Sequence, residues 1–454
     1  MRIFVAGILV SLLACTPPVT TPESSPSPRD TMDPRPNVLL IVTDDQRIDT
    51  LDVMPTTRRW FGRGGTTFTN AYATTPLCCP SRASIFTGMY AHNHGVLKNK
   101  DSHDLRTRST MQFYFREETD YATALVGKYL NSWSVEEDPP HFDKWASYSG
   151  RYYGKPFNVN GRTTKTDDYS TYFMARKAQR FLRSFEKVDE RPWFLYIAPV
   201  APHDPFTVPP NHRGADVPEW DGTPAIDERD LSDKPGFPAR PFDLDDTEVL
   251  RRRQLRTLMA VDDLVRKVKK TLRRLGETRD TLAIFTSDQG LMWGEHGYFA
   301  KRLPYTKSIA VPLLVRWPGY FDAGTTDDGL VANVDIAPTI MEAAGLIPDR
   351  RYPVDGRSLL QEERRGEIFL EQLDNWRVNL PDWRSLRTHD FHYVEYYDPD
   401  GAIMAREYYD LTSDPWQLRN LLGDRDPGND PDTSELSERL ASYAQCAGES
   451  CFRP

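Results

Sequence analysis

Four short apolar runs constrain the fold of this chain. Asn37–Val42 (Asn-Val-Leu-Leu-Ile-Val), Ala122–Val126, Trp193–Ile197 and Leu282–Thr286 are too short for buried helices and lack the alternation of half-exposed strands. They read as strands buried on both faces of a parallel sheet. Helical periodicity separates them. It is clearest from Asp246 to Leu275, where Leu258, Val261, Val265, Val268, Leu272 and Leu275 recur at spacings of three and four. The basic residues of that stretch (Arg251 to Arg253, Arg266, Lys267, Lys269, Lys270, Arg273 and Arg274) read as a solvated outer face. Strands alternating with helices predict an α/β fold, a mainly parallel sheet covered by helices on both sides. Near Leu360 the texture changes. Glu367–Leu370, Trp383–Arg387, Tyr393–Tyr396 and Arg406–Leu411 predict a smaller antiparallel sheet, closed by a helix around Ser434 to Gln445.

Composition narrows the function. With 39% hydrophobic and 11% aromatic residues in 454, the chain can bury a large core, and five cysteines are too few for a disulfide scaffold. Against 57 lysines and arginines stand 66 acidic residues, a net charge of −9, which argues against a nucleic-acid partner. Residues 1–14 place Arg2 before the apolar stretch Ile3 to Ala14. That stretch is shorter than the ~20 residues a membrane span needs and reads as an export signal. Leu12-Leu13-Ala14-Cys15 resembles a lipoprotein cleavage box, which would make Cys15 a lipidated membrane anchor. The alternative is an ordinary signal with an incidental cysteine. Residues 15–36, rich in Pro, Ser and Thr, read as a tether. Export also predicts a disulfide between Cys446 and Cys451, two free thiols being the alternative.

Ligands of open α/β sheets bind beyond the carboxyl ends of the strands. The runs are followed there by Thr43-Asp44-Asp45-Gln46, Gly127-Lys128-Tyr129, Ala201-Pro202-His203-Asp204 and Ser287-Asp288-Gln289-Gly290. Asp44, Asp45, Asp288 and Gln289 would converge hard oxygens on one rim, a donor set suited to Ca²⁺ or Mg²⁺. Taken singly, each aspartate would instead cap a turn. Lys128 and His203 add positive or proton-donating groups, which together with a cation suit a tetrahedral anion. The segment Cys78-Cys79-Pro80-Ser81-Arg82-Ala83-Ser84-Ile85-Phe86-Thr87-Gly88 predicts a helix with Pro80 in its first turn and Gly88 as its C-terminal cap. Cys78 then lies just ahead of a helix N-terminus, a good position for a nucleophile. A buried thiol or a vicinal disulfide is the alternative.

That segment resembles the signature of the formylglycine-dependent sulfatases. The resemblance implies an alkaline-phosphatase-like fold, with a catalytic domain over 37–360 and a smaller α+β subdomain over 361–454. It also implies that a formylglycine-generating enzyme converts Cys78 to formylglycine and that Asp44, Asp45, Asp288 and Gln289 hold Ca²⁺. Arg82 and Lys128 would hold the formylglycine, while His203 and Lys301 would contact the sulfate. In that mechanism a formylglycine hydroxyl attacks the sulfur of a sulfate monoester while His203, with Lys301, protonates the departing alcohol. Gly294-Glu295-His296-Gly297, Val311–Gly319, Asn333–Thr339 and Tyr409–Pro415 extend the resemblance over about residues 37 to 425.

Within the family, Cys78–Arg82 and Tyr90-Ala91-His92-Asn93-His94 are most similar to N-acetylglucosamine-6-sulfatases and heparan 6-O-endosulfatases. A 6-O-sulfated amino sugar of a glycan is the substrate so implied, with Trp145, Tyr148, Tyr152, Tyr153 and Phe157 either stacking on sugar rings or packing their own insert. One departure stands out. Leu130 occupies a position where many arylsulfatases carry a histidine, which leaves the base that releases sulfate open: His94 or His92 could substitute, or both could be ordinary loop histidines. Phosphonate or phosphodiester hydrolysis and arylsulfatase activity are alternatives on the same scaffold, and a glycan-binding surface protein is the non-catalytic one.

Overall fold

Successive side chains of the first strand enter two different cores. Val38, Leu40 and Val42 pack into one, Leu39 and Ile41 into the other, and all five are fully buried. The computed structural model describes residues 35–452 except 149, 188–190 and 237–243. The export signal, Cys15 and the tether as far as residue 34 lie outside the described residues.

A ten-stranded sheet organises the chain. Its order is Thr325–Ala332, Thr66–Tyr72, Leu313–Arg316, Thr281–Ser287, Asn37–Thr43, Trp193–Ala198, Ala122–Gly127, Lys144–Ser147, Phe157–Val159 and Arg162–Thr164. The strands from Thr281–Ser287 through Lys144–Ser147 are mutually parallel, and Leu313–Arg316, Phe157–Val159 and Arg162–Thr164 run antiparallel to their neighbours. Helices Ser170–Phe185 and Leu244–Leu275 cover one face, and helices Cys78–Thr87, Met111–Glu118 and Ile336–Ala343 the other. The long helix buries Leu258, Val261, Val265, Val268 and Leu272 completely. Each such side chain contributes roughly 1.5–3 kcal/mol by leaving water. Arg251 departs from the solvated-face reading. It is buried, bonded to Glu248 and to the Pro218 carbonyl, and lies over the Trp220 ring.

A four-stranded antiparallel meander follows: Ile368–Gln372, Asp382–Arg387, Phe391–Tyr397 and Ile403–Asp410. Helix Ser434–Tyr443 closes it through Leu436, Leu440 and Tyr443, and the same core takes in Leu330 and Val334. A disulfide joins Cys446 to Cys451 beside that helix. Among the described residues no helix is long and apolar enough to cross a membrane.

The aromatic insert turns inward. The rings of Tyr148 and Phe157 stack 4.6 Å apart, Tyr152 stacks on Tyr169, and Tyr148, Tyr152 and Phe157 are buried in the core under the sheet. The indole of Trp145 donates to Asn158, and Tyr153 meets Tyr169 edge-on. The sugar-stacking reading of Tyr148, Tyr152 and Phe157 therefore gives way to packing, because each ring face is already covered. Tyr152 instead donates its hydroxyl to the backbone carbonyl of His203.

Gly127 ends one central strand at φ 114°, and a Cβ there would stand 2.1 Å from the Ala198 carbonyl oxygen. Gly154 also has positive φ, 71°, but a Cβ would meet nothing within 4 Å. Gly127→Ala should therefore cost more than about 3 kcal/mol by denaturant titration, against about 1 kcal/mol for Gly154→Ala. Equal costs for the two would show that the strand spacing at Gly127 yields easily.

Candidate active site

The carboxyl ends of the strands Asn37–Thr43 and Thr281–Ser287 lie side by side, with Thr43 in register with Ser287. That register carries Asp44, Asp45, Asp288 and Gln289 to one place. The Asp288 amide donates to the Thr43 carbonyl at 3.1 Å, and the Asp45 amide donates to Asp288 Oδ1 at 3.0 Å. Asp45 takes φ 67°, a conformation that short polar side chains tolerate better than most.

Helix Cys78–Thr87 holds Pro80 in its first turn but begins at Cys78 itself rather than just after it. Cys78 is its first residue, Leu77 its N-cap, and Gly88 its left-handed C-cap at φ 71°. Pro80 is tolerated at the third position because the first turn's N–H groups have no intrahelical acceptor. Every residue of this helix is buried, so its polar side chains must find partners inside the protein. Arg82 reaches Asp288 Oδ2 through Nε and Nη2, both at 2.9 Å, and donates from Nη1 to the Tyr196 hydroxyl at 3.1 Å. Ser81 donates to the Asp288 carbonyl and accepts from Asn333.

Cys78 Sγ accepts from Lys301 Nζ at 2.9 Å and from Gln289 Nε2 at 3.3 Å. Lys301 and Gln289 Nε2 also donate to Asp45 Oδ1. Lys128 Nζ donates to Asp44 Oδ2 at 2.6 Å. His203 Nε2 lies 3.6 Å from Asp45 Oδ2, while its Nδ1 contacts Asp204 at the backbone carbonyl (2.9 Å) and the carboxylate (2.8 Å). All nine residues singled out in the sequence thus meet at one rim. Cys79 is buried beside them, its amide donating to Asn99 and its thiol pushed up to about 12, chiefly by burial.

Charge is tightly balanced here. Burial would raise the Asp44 carboxyl, but Lys128, His203, Arg82 and Lys301 outweigh it and hold the group well below its ordinary range. Burial and the neighbouring Asp44 charge push Asp288 upward. Burial disfavours a charged His203, yet Asp45 and Asp44 raise it far above the ordinary imidazole value. Lys301 and Lys128 lie above the usual lysine range because carboxylates beside them outweigh burial.

The donor set fits a hard divalent cation. Asp44 Oδ1 and Gln289 Oε1 are buried and accept no hydrogen bond. Such unpaired oxygens, set among converging carboxylates, match the ligation of Ca²⁺ or Mg²⁺. Asp288 Oδ1 accepts from the backbone amides of Asp45 and Gln289, which takes both its lone pairs, so Oδ2, bonded to Arg82 Nε, is the oxygen it has for a cation. One ligand atom from each of Asp44, Asp45, Cys78 and His203 also lies within 4.8 Å of the other three.

His92 and His94 do not join this cluster. His94 sits between Ser84 and the Val96 amide, and burial takes it down to about 3. His92 lies between Glu371 and the Cys446 carbonyl. Leu130 is buried in the apolar core. Other contributors carried no sequence signal. Gln254, on the long helix, donates to the Asp45 carbonyl and accepts from Trp293, and Tyr196 receives Arg82.

The sequence profile of the sulfatase family matches residues 36–346, and that of the C-terminal part of N-sulphoglucosamine sulphohydrolase matches 294–445. A Caenorhabditis elegans protein described as an extracellular sulfatase Sulf-1 homolog is 34% identical over 379 residues, covering 77% of this chain and 52% of its own. The chain thus spans about half the length of that relative. Human N-acetylglucosamine-6-sulfatase is 30% identical over 483 residues, covering 92% of this chain and 86% of its own. A solved structure of a protein in complex with its substrate D-glucosamine-2-N,6-O-disulfate shares the fold at TM-score 0.74 and 22% identity, over 90% of this chain and 97% of that one. The first of these matches takes in more than half of the chain, including every residue of the Cys78 cluster, and on that ground the chain belongs to the sulfatase family.

Proposed function

We propose that this protein hydrolyses the 6-O-sulfate monoester of an amino sugar in a glycan, working outside the cytoplasm after export. The observation that carries this reading is the convergence on Cys78 of Lys301, Gln289 and the two adjacent aspartates, at the first residue of a buried helix. The substrate class rests on the human relative and on the substrate of the structural neighbour. Export is supported by the apolar leader and by the extracellular relative, and a lipid anchor at Cys15 is part of the same proposal.

Cys78, matured to formylglycine, would supply an oxygen nucleophile toward sulfur, and a cation held by Asp44, Asp45, Asp288 and Gln289 would supply Lewis acidity. The chain's own groups do the rest. Lys128, Lys301 and the helix N-terminus place fixed positive charge around the transferring group, where charge develops. Arg82 holds Asp288 and faces Asp44, keeping the carboxylates oriented. Asp204 fixes the Nδ1 edge of His203, which leaves Nε2 to protonate the departing alcohol oxygen. Among the described residues His203 is the one imidazole in the cluster, so it also carries the proton movements of sulfate release.

Peptide mass spectrometry of protein matured beside a formylglycine-generating enzyme should find an aldehyde at 78 and an intact thiol at 79. Full activity with an unmodified Cys78 would overturn the nucleophile. Asp44→Asn should lose bound calcium and lower kcat by on the order of 10³, with an unchanged circular dichroism spectrum. Metal-free wild-type protein with full turnover would reject the cation. Release of free sulfate from N-acetylglucosamine 6-sulfate should exceed release from an aryl sulfate by ~10-fold or more in kcat/KM. A clear preference for the aryl ester would leave a sulfatase of another substrate class.

A further inference from the structure

Lys301 is followed by an arginine that the chemistry described above does not use. Arg302 takes φ 86°, and Ala300 on the other side of Lys301 takes φ 90°. Non-glycine residues hold such conformations only where their surroundings over-determine them. Here the Trp383 indole donates to the Arg302 carbonyl at 2.7 Å, and Arg302 Nη1 donates to Asn375 Oδ1 at 3.1 Å. Asn375 is itself fixed: its backbone amide donates to Asp382 and its side-chain amide to the Pro381 carbonyl.

The guanidinium so held pairs with no carboxylate among the described residues, and its hydrogen bond goes to a neutral amide oxygen. The neighbouring acid, Asp374, is bonded to Lys98. Lys301, just before Arg302, reaches Cys78, and Asn375, which holds Arg302, follows Asp374, whose partner Lys98 precedes the Asn99 that receives the Cys79 amide, so Arg302 is anchored beside the N-terminal end of the Cys78 helix. The side chain is only partly covered, so its remaining N–H groups can be reached from solvent.

We infer that Arg302 is a specificity residue that binds a second anionic group of the substrate, a sulfate or carboxylate held apart from the ester being cleaved. The inference rests on the sulfatase reading above and deepens it. A planar guanidinium with several uncommitted N–H groups suits bidentate recognition of either oxyanion. The second anion has two sources, an N-sulfo group on the same ring or the carboxylate of an adjoining uronate.

Three substrates separate them: N-acetylglucosamine 6-sulfate, N-sulfoglucosamine 6-sulfate, and a disaccharide joining N-acetylglucosamine 6-sulfate to a uronate. Wild-type protein should favour one of the two dianionic sugars over the first by about tenfold in kcat/KM, expressed mainly in KM. In Arg302→Gln that ratio should fall to near one, and Arg302→Lys should recover part of it. No preference in wild type, or the same preference in Arg302→Gln, overturns the assignment. Calorimetric binding of the same three sugars to Cys78→Ala protein repeats the comparison without turnover. Arg302-dependent binding with no sulfate release from any sugar would overturn the sulfatase reading and leave the Arg302 site standing.

Discussion

Three carboxylates, Asp44, Asp45 and Asp288, are buried at the carboxyl edge of two adjacent parallel strands. Like charges about 4 Å apart repel by about 4 kcal/mol at the effective dielectric of a protein site, so this arrangement would open unless cations were built in around it. They are. Arg82 comes from the helix packed on one sheet face, Lys128 from a neighbouring strand end, Lys301 from the loop after Trp293, and His203 from the turn after Ala198. Each comes from a different part of the sequence, so the site is complete only when the central sheet is. Folding and chemistry therefore share one electrostatic requirement.

The C-terminal sheet contributes through the same loop. Trp383 and Asn375 hold Arg302, and Tyr305 donates its hydroxyl to the fully buried Glu407, which also receives Tyr396 and Tyr409. The His296 ring packs tilted against Tyr305, centroids 4.2 Å apart, and pairs with Glu228. The segment carrying Lys301 is thus fastened at both ends to elements remote from the catalytic strands. A buried carboxylate satisfied by three hydroxyls is costly to disturb, which makes this anchorage stiff. Lys301 can then bear on Cys78 without the backbone relaxing out of its strained turn.

The parts of this molecule legible in its sequence are those where one physical demand governs a whole segment. Strands buried on both faces must be continuously apolar, which is why Asn37–Thr43 and Thr281–Ser287 were evident. Strands Thr66–Tyr72 and Thr325–Ala332 lie toward one sheet edge, carry mixed polar residues, and gave no comparable pattern. The same reasoning separates the site residues. Asp44 and Asp288 follow strand ends directly, so position predicted proximity. Gln254 reaches Asp45 from a long helix, and no local pattern distinguishes it from any other buried polar residue. The insert aromatics stay open between sugar stacking and packing for a related reason: sequence reveals ring content but not which faces are already covered.

The stretch from Cys78 to Gly88 is legible because its chemistry and its packing ask for the same residues. The helix has no solvent face, so Ser81, Arg82, Ser84 and Thr87 are each bonded inside the protein, to Asp288, Asp288, His94 and the Ala83 carbonyl. Gly88 must take a left-handed turn with Val354 only 2.6 Å from any Cβ placed there. Substituting any of these would strand a buried polar group or force the turn, whether or not the residue touches substrate. A motif under that double demand records more than catalysis. Ser84 spends its hydroxyl on His94, and that bond withdraws the imidazole from the cleft. The motif helix thereby keeps His94 out of the cluster, and with Leu130 buried in the apolar core His203 is, among the described residues, the histidine that stands there.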